Sequence, residues 1–189
     1  PLLAVVDPMS TGATLAGEAC KRDMRVLHVW SDVIPANLKG FVAEGQSNAS
    51  VGEVEHTGDL KATIVAMQKY GTISEVIVGS EPGVELADAL SSALGLRGNG
   101  VEQSATRRNK FEQSEAARAA GLAAGAQALV TSMHETNNFI KMYCDPFRKA
   151  VVKPTDGAAS EGVTICESAG QMRAAFMALQ GTTNIFGRA

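Results

Sequence analysis

The chain has 189 residues, room for one large domain or two small ones, and 45% of them are apolar, enough for a real core. Its formal net charge is −3, from 17 basic and 20 acidic residues, so nothing drives it towards nucleic acid or an anionic membrane surface. No apolar run approaches the roughly 20 residues of a membrane span, and no signal-peptide pattern is visible.

Strands and helices alternate from the start. Residues 2–7, "LLAVVD", read as a short strand ending in Asp-Pro, residues 11–23 as a helix and residues 25–30, "RVLHVW", as a second strand. The polar stretch 31–50 reads mostly as loop with one short helix, and residues 51–56 as a strand. In 58–71, Leu60, Ile64 and Met67 fall on one helical face. Residues 74–80, "SEVIVGS", form a strand. In 83–95, Val84, Ala87, Leu90 and Leu94 share a helix face and Gly95 suits the C-cap. This βαβα rhythm predicts an α/β fold with an open, mostly parallel, Rossmann-like sheet over residues 1–100.

The rhythm changes at the turn cluster "RGNG", 97–100. A long polar helix is predicted over 104–121, a strand over 126–132 and a helix over 134–144. Residues 149–155 and 163–168 read as two strands of an antiparallel pair. In the last helix, from Ser168, Met172, Ala175, Phe176 and Leu179 follow the i, i+3, i+4, i+7 spacing. Residues 101–189 therefore read as a small α+β unit.

The loop "TDGAASEG" between those two strands is built of small residues, which let backbone N–H groups approach a ligand and form a concave anion site. Lys153 stands at its mouth, a point charge suited to phosphate. The loop is neither a Walker A motif, since no GK[ST] follows, nor the dinucleotide fingerprint, which opens a helix. Arg107, Arg108 and Lys110 add cations at the start of the long polar helix, where basic residues oppose the helix dipole and an anion would offset them.

In the first half, Asp7 ends a strand at a βα turn, and Ser10, Thr11 and Gly12 lie at a helix N-terminus able to meet an anion. Glu81 ends another strand, where it could contact a substrate amine or a positive side chain, with Glu85 one turn on. His28, His56 and His134 have no ligand spacing, and Trp30 reads as core or rim. Cys20, Cys144 and Cys166 fit neither a metal pattern nor a disulfide framework, so an intracellular compartment, cytoplasmic or organellar, is expected.

Taken in order, "VIVGSEPGVELADALSSALGLRGNG", "RRNKFEQSEAARAAGL", "KAVVKPTDGAASEGV" and "SAGQMRAAFMAL" resemble the ATP-grasp superfamily, most of all carboxylate–amine ligases of the L-amino acid ligase type. The resemblance covers most of the chain. It implies a pre-ATP-grasp domain over 1–100 and the first subdomain of the nucleotide-binding domain over 101–189. It further implies ATP, with Lys110 and Lys153 on the phosphates and Gly157, Ala158, Ala159, Ser160, Glu161, Gly162 and Val163 as the loop that covers them. The loop "PMSTG", with Ser10, Thr11 and Gly12, sits where the family has a loop near the acceptor substrate. The implied reaction forms an amide or peptide bond through an acyl phosphate. The family also uses Mg²⁺, but no candidate for its ligands stands in this sequence. Both ends read as cut, and the 189 residues are not expected to ligate by themselves. The other reading is a non-catalytic ATP-grasp-like piece acting as a scaffold with a protein partner. A dinucleotide-binding module would explain the first half only and lacks GxGxxG.

Overall fold

The computed structural model of the chain describes residues 1–39, 50–157 and 160–184. It contains two compact units, Pro1–Arg108 and Asn109–Ala189.

The first unit is a four-stranded parallel sheet: β1 (Leu2–Val6), β2 (Arg25–Trp30), β3 (Ser50–Glu55) and β4 (Ile73–Val78), in the order β3-β2-β1-β4. Helices α1 (Thr11–Cys20), α2 (Ala36–Lys39), α3 (Leu60–Gln68) and α4 (Val84–Ala93) connect and follow these strands. Because strand side chains alternate, β1 serves two cores. Leu2, Ala4 and Val6 pack with Leu27, Val29, Met67 and Leu90, while Leu3 and Val5 pack with Ala16, Ala19 and Val26. A strand covered on both faces must be apolar throughout, which is why "LLAVV" does not alternate with polar residues. Asp59 caps α3 by accepting hydrogen bonds from the Lys61 and Ala62 N–H groups. Beyond α4, Leu96 N–H bonds to the Ser91 carbonyl and Gly95 N–H to that of Ser92, the Schellman closure of a helix. The chain steps outward from β1 to β3 and returns on the other side of β1 as β4. Strand order therefore reverses between β1 and β4, whose C-terminal ends are the place where open α/β sheets bind ligands.

The segment 104–121 is not one helix. It divides into α5 (Ser104–Arg108) and α6 (Lys110–Ala119), because Asn109 is extended and its side chain accepts from the Phe111 and Glu112 N–H groups. An Asn side chain able to satisfy two helix-start donors favours a new N-cap over continuing the old helix. Residues 126–132, expected as a strand, have no ladder partner among the described residues. Side chains hold the segment around it instead. Gln127 Nε2 donates to the Phe111 carbonyl at 2.9 Å and to Glu115 at 2.6 Å, and Arg118 donates to the Gly125 carbonyl at 2.7 Å.

The rest of the second unit is α7 (Met133–Tyr143), β5 (Ala150–Val152), β6 (Thr164–Cys166) and α8 (Ala169–Leu179). Ser132 and Glu135 form a reciprocal capping box on α7, and Ser168 caps α8. Strands β5 and β6 are antiparallel, with Ala150 opposite Cys166, Val151 opposite Ile165 and Val152 opposite Thr164. Their inner face joins Ile140, Cys144, Cys166, Met172 and Ala175 in one small core. No helix among the described residues is long and apolar enough to cross a membrane.

Candidate functional site

The two lysines and the small-residue loop fall within the second unit. Lys110 is the first residue of α6, and its backbone N–H bonds to the Thr155 carbonyl at 2.9 Å. Its Nζ donates to the Gly157 carbonyl at 2.8 Å. The helix start and the loop are thus tied at two points. An ammonium has three donors, so the Gly157 contact leaves two for an anion. Lys153 follows β5 directly and is exposed, with no hydrogen bond or ion pair to another described residue.

Of the remaining loop residues, Gly157 is buried, and Ala158 and Ala159 lie outside the described residues. Ser160 and Gly162 have positive φ, 62° and 67°, and the Val163 N–H closes a turn onto the Ser160 carbonyl at 3.2 Å. A Cβ on Gly162 would lie 2.8 Å from Leu179 and 3.2 Å from Pro154, so glycine is needed there for space as well as for φ. Asp156 and Glu161 each have a partner. The loop's second end therefore rests on α8 while its first end is held by α6.

Two residues that the sequence reading took only as strand interior also line this surface. Val151 is 52% exposed and Ile165, directly opposite, is 67% exposed, while their neighbours Val152 and Cys166 turn towards the core. By the two-residue period, Val151 and Lys153 share a face. The outer face of the hairpin is thus an apolar platform that ends in a cation. Its alternation was present in "AVVK" and "TIC", but either run could equally have been buried on both faces.

In the first unit, the C-terminal ends of β1 and β4 are packed backbone to backbone. A Cβ on Gly12 would lie 2.2 Å from the Gly79 carbonyl oxygen, and one on Gly79 would lie 2.7 Å from that of Asp7. Only glycine permits this approach. Asp7 has φ 52° and is fully buried. Its carboxylate accepts from the Ser31 N–H and the Ser31 hydroxyl, both at 2.7 Å. Burial pushes the Asp7 carboxyl above its ordinary range, and the two Ser31 hydrogen bonds pull it back. Ser10 precedes α1 with φ 52° and caps it with no side-chain bond; Ser10 and Thr11 are exposed.

Arg107 and Arg108 are placed differently from the sequence expectation. The break at Asn109 puts them in the last turn of α5, where a cation suits the helix dipole. Both serve the first unit. Arg107 donates to Asp88 and to the Gly100 carbonyl, each at 2.6 Å, and Ser104 also donates to Asp88 at 2.6 Å. Arg108 Nη1 lies 2.7 Å from Glu81 Oε1, with the Arg108 side chain 4% and the Glu81 side chain 43% exposed. Glu81 opens a short 3₁₀ turn, and Glu85 is exposed in the first turn of α4.

His28 is buried in β2 with Glu53 at 3.7 Å, and burial lowers its basicity. His56 bonds to Thr63 at 2.8 Å, and His134 to Asn138 on α7 at 3.1 Å. Trp30 is core, with the Lys39 ammonium over its ring. Burial pushes the Cys20 and Cys166 thiols up, away from reactive thiolates. No group of three or more His, Cys, Asp or Glu among the described residues could hold a metal ion.

No family model matches the chain. It is 30% identical over 189 residues to dapdiamide A synthase of Enterobacter agglomerans, an alignment covering 98% of this chain and 43% of that protein. Its fold matches the L-amino acid ligase of Bacillus licheniformis with a TM-score of 0.66 at 18% identity, over 95% of this chain and 41% of the ligase. It matches carboxyaminoimidazole ribonucleotide synthase of Aspergillus clavatus, solved with ATP, with a TM-score of 0.69 at 18% identity, over 95% and 44%. The chain spans about two-fifths of the length of each of these relatives. Over that span, the chain has the fold of the ATP-grasp carboxylate–amine ligases and is related in sequence to dapdiamide A synthase.

Proposed function

We propose that the chain supplies the phosphate-gripping part of an ATP-dependent carboxylate–amine ligase. The observation that carries this reading is the tie between Lys110 at the start of α6 and the Gly157 carbonyl at 2.8 Å, in the loop that follows Lys153. It gathers one lysine, a small-residue loop and, beside them, a second lysine and an apolar platform on one hairpin. On this reading residues 1–100 are the pre-ATP-grasp domain and residues 101–189 the first subdomain of the nucleotide domain, within a longer protein.

The residues present suit the phosphate end of ATP. Val151 and Ile165 offer a flat apolar surface to the base. Lys153 and Lys110 offer charge to the phosphates, and Gly157 and residues 160–163 offer backbone N–H groups. In the reaction, a carboxylate oxygen of one substrate bonds to the γ-phosphorus as the bond to ADP breaks. The amine of a second substrate then bonds to the acyl carbon, phosphate leaves, and the nitrogen gives up a proton. Phosphoryl transfer of this kind needs positioning and charge neutralisation more than covalent help, and two lysines with a small-residue loop supply part of both. Ser10, Thr11, Gly12 and Glu81 lie at the C-terminal ends of β1 and β4 and are read as facing the acid or amine substrate. When bound, Mg²⁺ would neutralise phosphate charge, with ligands from outside the described residues.

The test is calorimetric titration of ATP into the full-length protein and its Lys153→Ala variant. The variant is expected to bind ATP at least about tenfold more weakly, the effect of losing one desolvated charge on a phosphate. Equal affinity of the two proteins for ATP would remove Lys153 from the phosphate site.

A further inference from the structure

We infer that Arg108 is a positioning residue, which fixes the Glu81 carboxylate at the C-terminal end of β4 so that its second oxygen receives the ammonium group of the amine substrate. The inference rests on the ligase reading and names the chemistry that Glu81 would recognise.

The geometry is that of an acid presented by a buried base. Glu81 starts a turn whose next two residues, Pro82 and Gly83, are buried. A Cβ on Gly83 would lie 2.9 Å from the Val6 side chain and 3.0 Å from Asp7 Oδ2, so the turn is pressed against the end of β1. The backbone under Glu81 is therefore fixed, but its side chain is 43% exposed. Arg108 fixes that side chain from below. Its guanidinium is 4% exposed and lies 2.7 Å from Oε1. The short helix that carries it is itself anchored, since Ser104 and Arg107 both bond to the buried Asp88 and Arg107 also holds the Gly100 carbonyl.

An ordinary surface ion pair exposes both partners and costs rotamer freedom on each. Here the base is withdrawn and rigid, and the acid alone reaches water. Oε2 has no hydrogen bond to another described residue. The Asp7 carboxylate lies against the same turn, 3.0 Å from where a Cβ on Gly83 would stand. A carboxylate that reaches water at this strand end favours a cation over an anion. A primary ammonium fits, because it offers three donors to carboxylate oxygens.

The probe is L-alaninamide, which carries an ammonium and no carboxylate, titrated calorimetrically into the full-length protein. N-acetyl-L-alaninamide, with no ammonium, is the control. The wild type is expected to bind the first and not the second. Glu81→Gln and Arg108→Met are each expected to weaken binding about tenfold, as for a lost charge-assisted hydrogen bond. Arg108→Lys should fall between wild type and Arg108→Met. The double variant Glu81→Gln/Arg108→Met should match Glu81→Gln to within about twofold, because Arg108 acts through Glu81. A merely structural arginine would lower the melting temperature and leave this affinity in place. Absence of binding to the wild type, unchanged affinity in Arg108→Met, or multiplying losses in the double variant would each overturn the inference. If circular dichroism shows Arg108→Met unfolded, Arg108→Lys binding as wild type would overturn it. ATP titrated into the same proteins reports separately on the ligase reading, since a failure to bind ATP leaves the ammonium result standing.

Discussion

The two sheets treat their apolar residues in opposite ways. In the first unit all five residues of β1 are buried, because helices cover both faces of the parallel sheet. In the second, β5 and β6 pair over three residues and bury one face, leaving Val151 and Ile165 52% and 67% exposed beside Lys153. A two-stranded pair is marginal by itself and depends here on α7 and α8 packed beneath it. Apolar character therefore means core in the first sheet and, at alternate positions, an exposed surface in the second.

The largest expected contrast is between Leu27→Ala and Ile165→Ala. Leu27 is fully buried in β2, and truncation should cost about 2–5 kcal/mol in a denaturant titration. Ile165→Ala should change stability by about 0.5 kcal/mol or less, because so much of the side chain is already in water. It should instead weaken ATP binding in the full-length protein. A large stability loss with unchanged ATP affinity would turn Ile165 into an ordinary core residue and dissolve the contrast.

A smaller contrast concerns the two close-packed glycines. Gly12→Ala drives a methyl to 2.2 Å from a backbone oxygen that cannot turn away, whereas Gly162→Ala meets the ends of flexible or small side chains but must hold φ at 67°. Gly12→Ala is expected to cost about 1–3 kcal/mol through backbone displacement. Gly162→Ala is expected to cost about 1 kcal/mol, mostly conformational. Thermal unfolding of both variants would show the order, and a reversed order would mean that the first sheet yields more easily than its packing implies.

The smallest effect is on pH dependence. Burial lowers the basicity of His28 in the folded chain, with Glu53 opposing in part. The unfolded chain, with an ordinary imidazole near about 6.5, then takes up the proton first as the pH falls. The contribution of His28 to stability is thus complete above that value and declines as the pH drops towards the folded value. The melting temperature should fall between pH 7 and pH 5, and His28→Leu should flatten that slope. An unchanged slope in the variant would place the sensitivity elsewhere.

Much of the architecture was legible in the residues. The uninterrupted apolar "LLAVV", the strand–helix rhythm and the helical spacing of Leu60, Ile64 and Met67 specify a parallel sheet with helices, since these patterns follow from the periods of the elements themselves. The loop after Lys153 was legible as a loop, because small residues and glycines leave no core to build there. Two local readings failed for reasons of competition. Asn109 looked like helix interior until its side chain was seen to start a new helix, and residues 126–132 had strand character but no described strand to pair with.

By itself, then, the sequence determined the four strands of the first sheet, most of the helices, the antiparallel hairpin and the lysine-flanked loop. Local propensity, side-chain period and turn chemistry act over a few neighbouring residues, and those are written in order along the chain. Tertiary structure alone decided the partners: Lys110 with Gly157, Asp7 with Ser31, Arg108 with Glu81, and which of two adjacent valines in β5 faces out. These depend on which surfaces meet after folding, and an arginine that reads as a ligand-seeking cation in the sequence can be a buried brace in the fold.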